Sequence, residues 1–370
     1  MNNNIMSIIF ASDNETKLNE LTLHRTTASL PCFGRYRFID FTLSNLVNSQ
    51  ITTIGIITRS NYSSLTDHIR MGRDWDLNRK NSGICVFPPY ASNTVRSFKG
   101  KIEATYGIRD YMEKASEDYI ILTNSNIAAN LDFDDVFDQH IANGADITML
   151  TYQALPTSSR RVLVMTDEKG KIVDTRITQT EGGEKCEIGL NIYLLKKSLL
   201  LQLVTDCYEK GEMDFERNII QQKLNELKIY ACKVQGHAAI IDDINSFYEE
   251  NMKVLDPTIR DDLFHRCGKV FTKVKDSVPT LYKQHAMVKN SLIADGCQIN
   301  GKVINSILFR GVVVEEGAVI ENSIIMENGY VHKDAKLNYI ITDKDVTITE
   351  DKTISGFETY PMVIVKNKTI

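Results

Sequence analysis

Residues 307–337, ILFRGVVVEEGAVIENSIIMENGYVHKDAKL, decide the fold of the second half of the chain. Aliphatic residues recur there every six positions, and small residues stand two positions before them. The aliphatic positions are Ile307, Val313, Val319, Ile325, Val331 and Leu337, and the small ones are Gly311, Gly317, Ser323, Gly329 and Ala335. A period of six does not fit an α-helix, but it is typical of a parallel β-helix with aliphatic side chains stacked inward and small residues at the corners. The stretch predicts a left-handed parallel β-helix of hexapeptide repeats.

The first half of the chain has a different pattern of apolar residues. Short apolar runs (MSIIFA, TTIGIIT, DYIILT and ADITMLTY) alternate with amphipathic stretches such as DFTLSNLVNSQ and KIEATYGIRDYMEKAS. Apolar strands separated by helices are typical of an α/β fold with a doubly wound, mostly parallel sheet. We expect this domain at 1–255, a linker at 256–284 and the β-helix at 285–370, with an irregular first coil and a cap or a partner at each end.

Composition excludes several classes of protein. The chain has 370 residues, of which 42% are hydrophobic and 25% charged, as in an ordinary globular protein. A net charge of -5 argues against a nucleic-acid partner. No apolar run approaches the roughly 20 residues of a membrane span, and the first residues lack the features of a secretory signal. The seven cysteines are scattered, with no CxxC pair, so we expect a cytoplasmic protein with reduced thiols and no zinc site.

Four segments of the first half resemble a known family. They are CFGRYRFIDFTLSNLVNS, DHIRMGRDWDLNRKNSGICVFPPY, FKGKIEATYGIRDYME and DDINSFYEENMKVLD. Each is similar to a segment of bacterial ADP-glucose pyrophosphorylase, also called glucose-1-phosphate adenylyltransferase. The resemblance implies a nucleotidyltransferase-like domain before the β-helix, a tetramer, and a role in glycogen synthesis. It also implies a reaction that joins ATP to glucose 1-phosphate and releases pyrophosphate, which requires Mg²⁺ and cations around the phosphates.

The residues at the family's nucleotide loop depart from its pattern. The family reads A-G-G-x-G-x-R-L, whereas Ser12, Asp13 and Glu15 stand at the three glycine positions and Lys17 replaces the arginine. Glycine allows backbone N–H groups to approach phosphate closely. Side chains obstruct that approach, and two carboxylates repel a triphosphate. We interpret this stretch as a remnant of the loop.

Two phosphate-binding lysines of the family are also replaced. Thr27 stands at the lysine of R-A-K-P-A, and Thr178 falls at the lysine of E-K-P. Lys185 follows seven positions after Thr178, so a shifted loop would restore a cation there.

The metal ligands implied by the resemblance are replaced as well. Ser125 stands at the first metal-binding aspartate, and Ile240 falls at the second. Neither side chain anchors Mg²⁺, which demands hard oxygen ligands in tight geometry. Asp242 and Asp243 follow closely, so a local shift would restore an acid.

A chain that keeps the family's architecture but lacks the residues of its active site resembles the non-catalytic D-type branch of this family. The first hypothesis is therefore a regulatory, catalytically silent subunit, without a cofactor, in a hetero-tetramer with the catalytic subunit. Arg25, Arg35 and Arg37 are candidates for binding an anionic sugar-phosphate effector, or are ordinary solvated cations.

Two alternatives stay open. One is an active nucleotidyltransferase with relocated ligands, for which Asp242 or Asp243 with Lys17 would hold Mg²⁺ and phosphate. The other is an acyltransferase that uses a β-helix histidine, for which His285 and His332 are the candidates.

Overall fold

The computed structural model describes residues 4–11, 17–59, 61–80, 82–89, 98–157, 159–179 and 182–370. The chain divides into two units. The first comprises Met1–Asp13, Phe41–Ile240 and Leu263–Phe271, and the second comprises Asn14–Asp40, Ile241–Asp262 and Thr272–Ile370. The second unit thus combines the β-helix region with two segments that come from the first 262 residues of the chain.

The first thirteen described strands precede the β-helix. They are β1 Ile5–Phe10, β2 Pro31–Cys32, β3 Tyr36–Arg37, β4 Thr53–Ile57, β5 Gly83–Phe87, β6 Tyr119–Asn124, β7 Ile127–Ala129, β8 Ile147–Ala154, β9 Arg161–Thr166, β10 Ile172–Thr178, β11 Cys186–Lys196, β12 Ile229–Lys233 and β13 Ala238–Ile240. The α-helices are α1 Phe38–Asn48, α2 Ser63–Ile69, α3 Lys101–Tyr106, α4 Arg109–Lys114, α5 Phe133–Ala142, α6 Lys197–Glu209, α7 Ile244–Lys253 and α8 Pro257–His265. The four predicted apolar runs form β1, β4, β6 and β8.

The first unit is built on a nine-stranded mixed sheet. Its order is β10-β9-β11-β6-β1-β4-β5, and β8 pairs with both β11 and β12. Strand β1 lies between β4 and β6, parallel to both, as in a doubly wound fold. Strand β11 instead runs antiparallel to β6, β8 and β9. The parallel centre carries the site described below, because ligands of open α/β sheets bind at the carboxyl ends of the strands.

The core of the first unit follows from its strand sequences. Ile8, Ile120 and Leu122 are buried in one hydrophobic cluster with Tyr193 of β11. The amphipathic stretch from Lys101 forms two helices, α3 and α4, which are separated at Gly107 and Ile108. Glycine favours such a break because its helix propensity is low.

The second unit contains the β-helix. Its strands are β14 Leu281–Tyr282, β15 Met287–Lys289, β16 Leu292–Ile293, β17 Gln298–Ile299, β18 Lys302–Ile304, β19 Ile307–Leu308, β20 Val313–Val314, β21 Val319–Glu321, β22 Ile324–Ile325, β23 Tyr330–Val331, β24 Lys336–Asn338, β25 Ile340–Thr342, β26 Thr347–Ile348, β27 Thr353–Ser355 and β28 Met362–Ile364. They form three parallel five-stranded sheets, each of which takes every third strand. The predicted hexapeptide β-helix is confirmed. The region predicted as a linker, 256–284, contains α8 and β14.

The predicted phase of the repeat is wrong before Ile325, where the core cluster holds Leu308, Val314 and Ile320 instead of Ile307, Val313 and Val319. Val313 and Val319 are only half-buried, whereas their neighbours Val314 and Ile320 point into the core. Ile325 also points inward, as predicted, so the inward positions are five apart at this corner instead of six. Asn322 makes the corner in the left-handed conformation, with φ 46°, immediately after β21. This tight turn shortens the repeat by one residue.

Residues 368–370 cover one strand of the last coil. The N–H of Thr347 donates to the carbonyl of Lys368 at 2.8 Å, and the N–H of Ile370 donates to the carbonyl of Thr347 at 3.0 Å. Thr349 donates to Ile370 in the same way, at 2.8 Å. The residues that follow β28 therefore pair with β26, whose other neighbour is β23.

Candidate functional site

Ser125 lies at the carboxyl edge of the central parallel strands. It directly follows β6, and its N–H donates to the carbonyl of Phe10, the last residue of β1, at 3.1 Å. Its side chain is buried, as are those of Asn124 and Asn126. The candidate site predicted after the apolar run DYIILT therefore lies where open α/β sheets bind ligands.

Ile240 lies on a strand beside this edge. It ends β13, which pairs antiparallel with β7, and it stands opposite Ile127. Ile127 comes two positions after Ser125, so the two positions assigned to metal ligands occupy adjacent segments. Their side chains offer one hydroxyl and one aliphatic group. This pair does not fit Mg²⁺, which prefers carboxylates and other hard oxygen donors.

The neighbouring acids have other surroundings. Asp243 is the N-cap of α7 and forms a capping box, in which its carboxylate accepts the Ser246 N–H at 2.7 Å. Asp242 is fully buried in the second unit. Lys17 is half-buried, and Ser12, Asp13 and Glu15 lie outside the described residues. Asp243 thus has a structural use that a relocated metal site would disturb.

Thr178 has an arginine as its cross-strand partner. It ends β10 opposite Arg161 of β9, and the Arg161 side chain is buried. One guanidinium nitrogen of Arg161 donates to the carbonyl of Arg160 at 3.2 Å. Lys185, the nearest lysine predicted from the sequence, is exposed. The sequence did not indicate Arg161 as the cation beside Thr178, because the two residues meet only through the pairing of β9 with β10.

An ion network, buried at Lys101 and Glu216 and partly exposed at Arg160 and Asp214, lies beside the end of β1. The Nζ of Lys101 lies 2.5 Å from the Oε1 of Glu216 and 5.6 Å from the centroid of the Phe10 ring. Arg160 contacts both Asp214 oxygens at 2.9 and 2.7 Å and lies 3.5 Å from Glu216. Two cations and two carboxylates therefore neutralise one another. Glu216, a member of this network, is the first residue of a π-helical turn, Glu216–Gln221. Such turns are common at functional sites.

The network shifts the pKa values of its members. Burial favours a neutral Asp214, but the Arg217 N–H and Arg160 outweigh it and lower the pKa of that carboxyl. Burial and the adjacent Glu216 raise the pKa of Tyr193 well above its ordinary value. Arg160 is therefore held as a cation by Asp214 and Glu216, and its charge is engaged inside the protein.

Gly100, which precedes Lys101, has a packing role. A Cβ at this position would lie 2.1 Å from the carbonyl oxygen of Met213. This close approach brings the start of α3 against residues 213–216, which carry Asp214 and Glu216. The packing at Gly100 thereby brings Lys101 within reach of Glu216.

A second group of charges lies within the second unit. Arg25 and Asp343 form a buried bidentate ion pair at 2.8 and 2.9 Å. Lys344 lies 2.6 Å from Glu327, which also contacts Lys275. Burial lowers the pKa of Lys344, Glu327 opposes this shift, and the charges of Arg37 and Arg25 lower the pKa further. We call Arg25, Arg37, Lys275 and Lys344 the basic cluster.

The three arginines predicted to act together have different surroundings. Arg25 is bound to Asp343, the charge of Arg37 lowers the pKa of Lys344, and Arg35 is half-exposed at 4.0 Å from Asp295. Thr27, in a 3₁₀ turn of the same segment, is fully buried. Lys275 and Lys344 could not be predicted, because only the stacking of the coils brings them to Glu327.

The two β-helix histidines each face one glutamate. His332 lies 3.3 Å from Glu315, and His285 lies 3.5 Å from Glu316. Among the described residues, no group of three or more histidines, cysteines or acids is arranged to hold a metal. No described helix is long and apolar enough to cross a membrane.

Comparison with known proteins agrees with this architecture. The nucleotidyl transferase family model matches residues 6–256, and the model of the GlmU-like C-terminal hexapeptide matches residues 276–359. The chain is 32% identical to the glycogen biosynthesis protein GlgD of Bacillus subtilis (strain 168), over 99% of this chain and 96% of that protein. It is 31% identical to the glucose-1-phosphate adenylyltransferase of Pseudothermotoga lettingae, over 84% of this chain and 75% of that enzyme.

Geobacillus stearothermophilus has similar proteins of both names. The chain is 33% identical to its glycogen biosynthesis protein GlgD and 30% identical to its glucose-1-phosphate adenylyltransferase. Each match covers 86% of this chain and 83% of the relative. The chain therefore belongs to the glucose-1-phosphate adenylyltransferase family of nucleotidyl transferases.

Proposed function

We propose that this protein is a regulatory subunit of glucose-1-phosphate adenylyltransferase in glycogen biosynthesis and that it does not itself catalyse the reaction. The observation that carries the proposal is the pairing of β7 with β13, which brings Ile240 next to the segment of Ser125. Both metal positions implied by the family therefore lack a carboxylate at the same place. Without Mg²⁺, a nucleoside triphosphate has no ion to neutralise the charge that develops during transfer.

The ion network supports the same proposal. Lys101 and Arg160 lie near the end of β1, where a nucleotidyl transferase needs cations for phosphate. Their charges are engaged by Glu216 and Asp214 instead. A phosphate would have to displace two close ion pairs, and an unpaired buried carboxylate would remain behind, which is costly.

We propose a hetero-tetramer with a catalytic homologue in the cytoplasm. The occurrence of both relatives in Geobacillus stearothermophilus supports this partnership. The partner interface would bias the active subunit between two conformations, which changes its activity without a second working site. Of the three predicted arginines, a sugar-phosphate effector would bind at Arg35 and Arg37, because Arg25 is held by Asp343 in a buried ion pair.

The test is to purify the chain alone and together with its catalytic homologue and to measure ADP-glucose formation. We expect no magnesium-dependent turnover by this chain alone, and an altered rate or effector response when the two chains are combined. Turnover by the isolated chain would contradict catalytic silence and favour relocated ligands. No effect on the catalytic homologue, with no complex formed, would contradict the regulatory role.

A further inference from the structure

A groove of about 910 Å³ lies within the second unit, between α7 and one corner of the β-helix. Tyr248 and Met252 of α7 form one wall, and Asn290, Asn305 and Asn322 line the other. The volume is in the range of small-molecule sites in proteins. None of these residues belongs to the ion network or to the basic cluster, so the groove is separate from the site described above.

The three asparagines form a ladder across successive coils. The amide of Asn290 donates to Asn305 at 2.8 Å, that of Asn305 to Asn322 at 3.4 Å, and that of Asn322 to Asn338 at 3.0 Å. Each ladder bond uses one of the two amide hydrogens of its donor. The ladder therefore presents further amide donors and acceptors at intervals of about 4.8 Å, the spacing of neighbouring strands.

Tyr339 takes the corner position of the next coil, while the ladder continues through its neighbour Asn338. Its N–H donates to the carbonyl of Glu321, as the N–H groups of Asn305 and Asn322 donate to the preceding coil, so it occupies the same corner one coil later. All three residues have positive φ, and that of Tyr339 is 55°. Asparagine tolerates this conformation, whereas a bulky side chain there is an outlier that calls for a functional explanation.

The ring of Tyr339 lines the groove. Its centroid lies 6.4 Å from that of Tyr248, whose hydroxyl donates to the carbonyl of Asn322 at 2.7 Å. Tyr248 is thus fixed in place, while Tyr339 is half-exposed. An aromatic surface beside a row of amides suits a ligand that has both apolar faces and hydroxyl groups.

The charges around the groove disfavour an anionic ligand. Glu249, Asp256 and Glu358 line it, whereas the cation in the lining is Lys253. The Nζ of Lys253 lies 2.6 Å from the Oε1 of Glu250. A phosphorylated sugar or a nucleotide would meet net negative charge here, which leaves a neutral ligand as the better match.

We propose that this groove binds a neutral oligosaccharide, whose sugar face stacks on Tyr339 and whose hydroxyl groups bond to the asparagine ladder. The choice of an α-1,4-glucan as the probe rests on the proposed role in glycogen biosynthesis, whereas the ligand class rests on the groove alone. The site would let the subunit respond to the carbohydrate product rather than to a phosphorylated intermediate.

The test is calorimetric titration of the full chain with maltoheptaose, and with cellopentaose as a second neutral probe. Tyr339→Asn removes the ring and supplies the residue that the other ladder corners carry, so we expect it to fold and to melt no lower than the wild type. It should weaken binding about tenfold or more, as expected for loss of a stacking ring. Tyr282→Asn is the matched control, because Tyr282 is an exposed tyrosine of the first coil outside the groove, and it should bind as the wild type.

Absence of binding by both oligosaccharides, or equal binding by Tyr339→Asn, would overturn the proposal. The groove would instead be a protein interface if the wild type bound no oligosaccharide and the Tyr339→Asn variant no longer bound the catalytic homologue. That result would also overturn the proposal. The proposed regulatory role is judged separately, by the rate of the catalytic homologue without oligosaccharide. If the regulatory role is not found, the result of the oligosaccharide titration remains valid.

Discussion

The Nζ of Lys101 lies 2.5 Å from the Oε1 of Glu216, and both side chains are almost entirely buried. These residues are far apart in the sequence, yet their charges meet beside Phe10 at the end of β1, at the carboxyl edge of the parallel strands. The cation is present in the candidate site, but it is already paired.

Removal of one member of this pair should destabilise the protein. We expect Lys101→Met to lower the free energy of unfolding by about 3 kcal/mol, because Glu216 loses its closest cation in a buried place. The double variant Lys101→Met/Glu216→Leu should recover part of the loss, since it leaves no uncompensated charge at these two positions. Urea unfolding followed by circular dichroism measures both.

A matched control for that experiment is the exposed pair Arg79–Asp76, with side chains 46% and 88% exposed. Arg79→Met should change the free energy of unfolding by less than about 1 kcal/mol. A Lys101→Met variant as stable as this control would show that the network contributes nothing.

Restoring the two carboxylates should restore a response to metal. We expect Ser125→Asp/Ile240→Asp to melt below the wild type in EDTA, because two carboxylates enter a buried place. Mg²⁺ should raise its melting temperature, whereas the wild type should melt equally with and without the ion. If the double variant does not fold, Ser125→Asp alone serves for the comparison. An equal Mg²⁺-induced rise for the wild type would show that it holds the ion elsewhere.

The basic cluster should make stability depend on pH. Burial favours a neutral Glu327, but Lys344 and Lys275 outweigh it and lower its pKa from 4.5 to about 2. Because the folded value is depressed, this contribution is fully present above about pH 4.5 and is lost as the pH falls toward 2. Glu327→Gln should lower the free energy of unfolding by about 1–3 kcal/mol at pH 7.

The difference between Glu327→Gln and the wild type should shrink as the pH falls from 4.5 toward 2. Urea unfolding at pH 7, 4 and 3 measures it. A difference that stays constant over this range would mean that the effect of the substitution does not come from the charge of Glu327.

The proposed effector site gives a prediction for the hetero-oligomer. We expect Arg35→Gln and Arg37→Gln each to raise the effector concentration for half-maximal response about tenfold, because each removes a cation from the phosphate. Arg79→Gln, which removes an exposed cation of the first unit, serves as the control. An unchanged half-maximal concentration in both arginine variants would place the effector elsewhere.

The fold was predictable where local patterns determine it. Buried parallel strands require continuous apolar runs, which identified β1, β4 and β6, and stacked coils require a six-residue repeat. The exact phase was not predictable, because the corner at Asn322 depends on a left-handed backbone conformation that asparagine permits but does not impose.

The candidate site was predictable only at single positions. Counting along the sequence found Ser125 and Ile240, and the register between β7 and β13 brings them together. Arg161 was missed, because it reaches Thr178 through an antiparallel hairpin, and no short-range signal links Lys101 to Glu216. Ion pairs between distant segments follow from tertiary packing, which sequence periodicity does not encode.

The pairing of residues 368–370 with β26 has a consequence for aggregation. Unpaired strand edges act as templates for foreign strands and for fibril growth. Here the backbone of Thr347 is already bonded on that side, so an incoming strand would first have to displace residues 368–370. Removal of residues 368–370 would expose the unpaired backbone groups of β26, and we expect polymerisation from this strand.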